Sequence, residues 1–306
     1  MSAFANRDTR RATRRVVRLA PAVVLALALM SSGCADGDDA TMDDLAAGAT
    51  PPAMALGDIT GVWRAGGTAY NDVEPHALKK AYQVRDVHPS PRPVEALVPL
   101  GAIGAVPPSS GYVREGRIPY TQAGLAQREA NQREWLERDP EIKCYLPGVP
   151  RATLLPYKFR IFEDGTRVLI AHEYANAVRQ VYLEDPGEAP LDSWMGQSFG
   201  RVDGNSFVVE VTAQNGQTWI DRAGNPVSPQ TRVTETFTPM GPDHIRYSAR
   251  LEDPELYTAP WTLDLTLYRQ KGTDAVMHPF ECVEAVEELL YGDLRAPDVE
   301  NSGETP

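Results

Sequence analysis

Residues 193–239 read SWMGQSFGRVDGNSFVVEVTAQNGQTWIDRAGNPVSPQTRVTETFTP, a succession of strand, tight turn, strand, long polar loop and strand. Asp203-Gly204 is a dipeptide suited to a two-residue hairpin, because a type I′ turn needs positive φ at both central positions. After it, Phe207, Val209, Val211 and Ala213 alternate with Val208, Glu210 and Thr212. A two-residue period of this kind marks a half-buried strand.

From residue 154 onward the same period predicts strands at 157–163, 167–174, 178–184, 196–202, 205–213, 231–238, 244–252, 261–270 and 275–283. Turn signals separate them, among them Asp164-Gly165, Asp185-Pro186-Gly187, Asn215-Gly216, Gly241-Pro242 and Lys271-Gly272. An earlier strand is expected at 57–63, where Gly61-Val62-Trp63 matches the G-x-W that opens many lipocalins. Short consecutive strands joined by hairpins predict a mainly β fold, either an antiparallel up-and-down barrel of lipocalin type or a β-sandwich. A helix is expected over 121–138, capped by Thr121 and stopped by Asp139-Pro140, with Leu125, Ala126, Ala130, Trp135 and Leu136 as its narrow packing face. Residues 64–119 are rich in proline, at 75, 89, 91, 93, 99, 107 and 108 among others, and read as an irregular arm with a short helix near 75–83. Such an arm either wraps the barrel or is mobile. The expected organisation is therefore 1–33 signal peptide, 34–56 tether, 57–140 arm with its helix, 141–290 antiparallel β-domain, and 291–306 disordered tail.

The run W-x-G-x-S-x-G-R, then V-V-E, T-W-x-D-x-x-G-x-P and R-V-T-E-x-F resembles a family of bacterial secreted proteins and lipoproteins with no assigned activity. The residues that carry it are Trp194, Gly196, Ser198, Gly200, Gly204, Val208, Val209, Glu210, Thr218, Trp219, Asp221, Gly224, Pro226, Arg232, Val233, Thr234, Glu235 and Phe237. Residues 58–63 (DITGVW), 139–151 (DPEIKCYLPGVPR), 253–261 (DPELYTAPW) and 280–282 extend it over most of the chain beyond the tether. The resemblance implies an envelope β-protein. The loop here reads GNPVSP where members carry histidines, so no histidine mechanism in that loop is implied.

The N-terminus supports export. Arg10, Arg11, Arg14, Arg15 and Arg18 precede an apolar run over 20–30, and Ser31-Ser32-Gly33 precede Cys34. That is the order of a signal peptide, and the run is shorter than a membrane span. The small residues before Cys34 resemble a lipobox, with lipid on Cys34; ordinary cleaved secretion is the alternative. Ala35 rather than Asp follows the cysteine, which by the lipoprotein sorting rule points to the periplasmic face of the outer membrane. Residues 35–56 have the acidic, small-residue composition of a flexible tether. The formal charge is −12, and the first 33 residues hold six arginines and one aspartate, so their loss leaves −17. A chain this acidic repels phosphate backbones, so nucleic acid is not an expected partner.

Cys144 and Cys282 remain for the exported domain, and a disulfide between them is expected, with two free thiols or half of a metal site as alternatives. The spacing of cysteines and histidines supports no metal site, and no cofactor motif occurs. Gly196-Gln197-Ser198-Phe199-Gly200 matches the nucleophile-elbow pattern, with Asp243 and His244 downstream in partner order. The elbow requires a helix after the serine, and a strand follows instead; the alternative is a glycine-bearing strand that lets a neighbour approach. Charges on apolar strand faces are the weak catalytic candidates: Glu173 beside Leu169 and Ala171, Arg179 beside Val181 and Leu183, and Glu235 between Val233 and Phe237. They form a structural ion-pair network or line a polar pocket. Trp194, Trp219, Trp261, Tyr174, Tyr182 and Tyr257 are candidates to rim a ligand cavity, with Arg179 and Glu235 as its polar contacts. His172 reads as an interior histidine, and Asp221 as a loop residue that either acts or caps a turn.

Three functions follow as expectations: a periplasmic carrier of a small apolar or amphipathic molecule, a cofactor-independent isomerase, cyclase or hydrolase, and an envelope assembly partner binding a protein through the 64–119 arm. An apolar cavity with one polar contact would favour the carrier. Convergent charges in a cavity would favour the enzyme, and a filled barrel with an exposed apolar patch the interaction protein.

Overall fold

The computed structural model describes residues 53–75 and 109–291. The expected signal peptide, Cys34, most of the tether, the short helix near 75–83 and the tail after residue 291 lie outside the described residues.

Nine strands close into a barrel in sequence order. They are β1 (Gly61–Ala65), β2 (Phe159–Glu163), β3 (Arg167–His172), β4 (Val178–Tyr182), β5 (Gln197–Asp203), β6 (Ser206–Thr212), β7 (Arg232–Pro239), β8 (His244–Glu252) and β9 (Trp261–Arg269). The expected strand at 275–283 is not formed; Gly272–Ala275 is a turn of 3-10 helix. Closure falls instead to β1, which pairs antiparallel with both β2 and β9. Every other neighbouring pair is antiparallel except β4 with β5, which run parallel and meet at only two positions, Val181 with Ser198 and Tyr182 with Phe199.

Turn chemistry explains most corners. Asp164 accepts hydrogen bonds from the Thr166 and Arg167 amides at 3.0 and 3.1 Å, folding the β2–β3 turn around Gly165. In the β5–β6 hairpin Asp203 pairs with Ser206, so the central residues are Gly204 and Asn205, one position beyond the expected dipeptide. Of these two only Gly204 has positive φ, at 58°. That is a type II′ requirement rather than type I′.

Cross-strand partners share a face, so the register identifies the lumen-facing side chains. Trp63 stands opposite Phe159, Phe159 opposite His172, and Ile170 opposite Arg179. Val209 stands opposite Glu235, and Tyr247 opposite both Phe237 and Leu265. On β3 the lumen face is therefore Val168, Ile170 and His172. This corrects the expectation built on Leu169, Ala171 and Glu173. Period two fixes alternation, but neighbouring strands decide which phase points inward.

The expected helix 121–138 is two pieces, α1 (Gln122–Arg133) and α2 (Trp135–Arg138), broken at Glu134. Thr121 Oγ1 accepts from the Gly124 amide at 3.0 Å, capping α1 as expected. Its packing face differs: Leu125 is 42 % exposed, while Gly124 and Asn131 are buried. The helix lies on the β6–β7 loop through polar contacts, with Asn131 Nδ2 donating to the Gly224 carbonyl at 3.0 Å and Gln132 Nε2 to Ala223 at 2.8 Å. The described ends of the arm pair with the part of the β9 edge that β1 leaves free. The Tyr112 amide donates to Val73, the Asp264 amide to Tyr112, and Val113 bridges to Leu263.

A short helix, α3 (Arg151–Leu154), is entirely buried, and its Val149, Ala152 and Leu154 neighbourhood joins the barrel core. Arg151 bonds Asp139 and Glu141 at 2.9 and 2.8 Å, and Glu141 also takes Arg222 Nε at 2.8 Å, fixing this segment to the helix end and the long loop. Cys144 and Cys282 form a disulfide, 138 residues apart in sequence, beside the closing helix α4 (Val286–Tyr291).

Candidate functional site

Polar groups from five strands meet inside the barrel. Arg179 of β4 donates through Nε to Ser198 Oγ of β5 at 2.8 Å, and through Nη2 to Glu235 of β7. Tyr247 of β8 donates its hydroxyl to the other Glu235 oxygen at 2.8 Å. His172 of β3 completes the group, its ring 5.4 Å from Phe159. Two of the expected charged residues, Arg179 and Glu235, thus converge. Glu173 does not: it lies just past β3 and accepts from the Lys158 and His278 amides at 2.9 and 2.8 Å, holding two loops together.

The electrostatics of the cluster follow from burial. Desolvation, reinforced by the Arg179 charge, pulls His172 down to about 3, so its imidazole is neutral. Burial, then the adjacent Glu235 carboxylate and the hydrogen bond to it, push the Tyr247 hydroxyl well above its ordinary range. Val181, Val209, Val211, Glu235, Phe237, Tyr247, Ala249 and Leu263 are all 0 % exposed. Side chains buried this completely leave no surface that a water molecule could touch, so the lumen around the cluster is filled by its own residues. The arrangement ties β4, β5, β7 and β8 together.

The elbow-like pentapeptide has a packing explanation. Ser198 is 1 % exposed and bonded to Arg179. A side chain at Gly200 would meet the rings and methyls of Phe207 and Val181. His244 lies on the outer wall against Tyr268, and Asp243 pairs with Lys271, so neither joins Ser198.

The candidate rim aromatics occupy separate places. Trp261 is in the lumen, edge-on to Tyr257 at 5.6 Å. Tyr174 packs outside against Phe280 at 4.8 Å, and Trp194 against Tyr145 at 5.0 Å. Trp219 is buried in the β6–β7 loop, where it bridges to Pro226. Tyr257 donates to the Pro226 carbonyl at 2.6 Å, whereas Tyr182 is exposed on β4. Asp221 caps that loop, accepting from the Ala223 amide at 3.0 Å and Asn225 Nδ2 at 2.7 Å, and it pins the arm through the Val73 amide at 2.8 Å. Burial and the neighbouring Asp72 carboxylate push Asp221 up to about 8. Among the described residues no group of three or more His, Cys, Asp or Glu side chains is placed to hold a metal ion.

Among the described residues, clefts include one of about 660 Å³ between the β6–β7 and β8–β9 loops and two on the outer wall that sequence reasoning missed. One, of about 340 Å³, borders the β4–β5 seam and is lined by Val178, Tyr182, Leu191, Met195 and Gln197 among others. Val178, Tyr182 and Leu191 are 62, 38 and 69 % exposed. The other, of about 600 Å³, lies where β1 and β9 meet the arm and includes Arg64, Tyr112, Asp264 and Tyr268. The only signal in the sequence was apolar or aromatic residues on outward strand phases, as at Val178, Tyr182 and Tyr268.

The fold and its sites define a closed β-barrel with a buried polar cluster in its lumen and clefts on its outer wall. Comparison with known proteins finds no matching family model, curated protein or solved structure.

Proposed function

We propose that the chain is an exported interaction module, held at the periplasmic face of the outer membrane by lipid on Cys34, that docks a protein segment at the β4–β5 seam. The seam cleft carries this reading. It is the least paired junction of the wall, and it gathers three exposed apolar side chains beside it. A contiguous exposed apolar patch of this kind marks an interaction site. Glu184, Asp185, Glu188 and Asp192 are exposed on the connection that borders it, and residues 183–193 contain no Lys or Arg. The complementary partner carries an apolar anchor flanked by lysine or arginine. The filled lumen supports placing recognition on the wall rather than inside, ahead of a carrier or a lumen enzyme.

A photo-reactive residue at Leu191, compared with one at Thr236 on β7 away from the seam, tests this in intact envelopes. Cross-linking to one protein from Leu191 alone, abolished by Val178→Glu, is expected. Native mass spectrometry of the mature chain supplies the opposing result: a small molecule retained through Arg179 or Glu235 would restore the carrier reading.

A further inference from the structure

We infer that the cleft between β1, β9 and the arm binds an anionic saccharide, at a site independent of the seam. In the closed strand order, the β9–β1 junction lies half a turn around the barrel from the β4–β5 junction. The cleft therefore addresses a different partner from the seam.

Its floor is an aromatic platform built in advance. Tyr268 is 47 % exposed, yet its ring is held on two sides. A side chain at Gly66 would collide with Cε2 of Tyr268, so the absence of one lets the ring lie on the backbone there. The His244 ring stands edge-on at 5.3 Å and 80°. Gln270 Nε2 donates to the Tyr268 carbonyl at 2.9 Å, steadying the end of β9. A fixed tyrosine face offers apolar contact with a polar tip, which suits the C–H face of a sugar ring bordered by hydroxyls.

The polar groups around it favour negative charge. Arg64 is the cross-strand neighbour of Tyr268 on the same outer face. It is exposed and has no ion-pair or hydrogen-bond partner among the described residues. Asp264 is already occupied, accepting from Arg114 Nε and Nη2 at 2.7 and 2.8 Å. Burial pulls its carboxyl upward, but the Arg114 bonds and charge hold it below its ordinary value. Arg246 reaches Asp264 only at 3.9 Å and is 58 % exposed. Arg64 is the guanidinium that lines the cleft, with Arg114 and Arg246 beside it around Asp264, three positive charges against Asp264 and Glu115, the latter engaged on the Thr262 amide at 3.0 Å. In a chain of formal charge −12 this is a local reversal of sign. The free Arg64 fork matches a sugar carboxylate or phosphate in two-point geometry. Thr266 remains for ring hydroxyls.

Isothermal titration of the mature chain tests this with three probes: trigalacturonate, maltotriose as its neutral counterpart of equal length, and inorganic phosphate. Trigalacturonate should bind in the millimolar range or tighter, with maltotriose and phosphate each weaker by about tenfold or more. Arg64→Gln and Tyr268→Ala should each weaken trigalacturonate by about tenfold, while Tyr268→Phe retains it. Circular dichroism of each variant establishes that the barrel is intact. Phosphate binding as tightly as trigalacturonate would overturn the saccharide assignment. Absence of trigalacturonate binding, or binding that survives both Arg64→Gln and Tyr268→Ala, would overturn the site.

Discussion

Glu235→Gln is expected to destabilise the barrel more than any single surface change. The Arg179 and Glu235 side chains are 1 and 0 % exposed, so the substitution leaves a guanidinium charge in the core without its counter-charge. Breaking one partner of a buried ion pair costs about 3–5 kcal/mol. Against a total of about 5–15 kcal/mol for a domain, that is a large fraction. Replacing both partners, as in Arg179→Met with Glu235→Leu, removes the stranded charge but leaves the Tyr247 hydroxyl without its acceptor. That orphan costs about 1–3 kcal/mol. Adding Tyr247→Phe leaves only the Ser198 hydroxyl without its Arg179 partner and should bring the triple variant to within about 1–3 kcal/mol of wild type, because a well-packed apolar substitute for a buried pair is often neutral. Urea denaturation with the disulfide intact measures all three. A Glu235→Gln cost under about 1 kcal/mol would refute the reasoning, as would a triple variant no more stable than the single one.

Three further outcomes are expected. The folded state depresses His172 from 6.5 to about 3, so its contribution is complete above pH 6.5 and is lost as pH falls toward 3; between pH 7 and 5 wild type should lose about 2 kcal/mol more than His172→Phe in urea titrations. Reducing the Cys144–Cys282 bond reopens a loop spanning 138 positions, worth at most about 5 kcal/mol on chain-entropy grounds, and calorimetry with and without a thiol reductant should show a lower Tm. Gly200→Ala, which forces a methyl against Phe207 and Val181, should cost about 1–3 kcal/mol in the same denaturation assay.

Strand positions were legible because alternation over 244–252 or 261–270 leaves few other structures. The observed β8 has the expected bounds, and β9 ends one residue early. The lumen cluster was half legible: Arg179 and Glu235 stood out as charges among apolar residues, while Ser198 and Tyr247 are ordinary strand residues until the register brings them together. Glu173 was misplaced because nothing in period two says that β3 stops at His172, where Ala175 and Asn176 adopt positive φ of 53 and 50°. The direction of β4 relative to β5 was not legible either. Alternation is the same in parallel and antiparallel strands, and Asp185-Pro186-Gly187 reads as a turn whichever way the chain comes back. The outer clefts depend on the arm and on the β4–β5 connection, whose courses are tertiary facts.

The parallel junction has a counting consequence. Around a closed ring, strands can alternate up and down without exception only if their number is even; nine leaves one adjacent pair pointing the same way. The misfit cannot be removed by changing side chains, only by adding or deleting a strand. It falls where the chain spends residues 183–196 returning along the barrel, and two strands meeting at two positions make the shortest ladder in the wall. The junction that parity forces is therefore also the shortest ladder, and this barrel unzips there first. Hydrogen exchange should find the amides of β4 opening at lower free energy than those of β7 and β8.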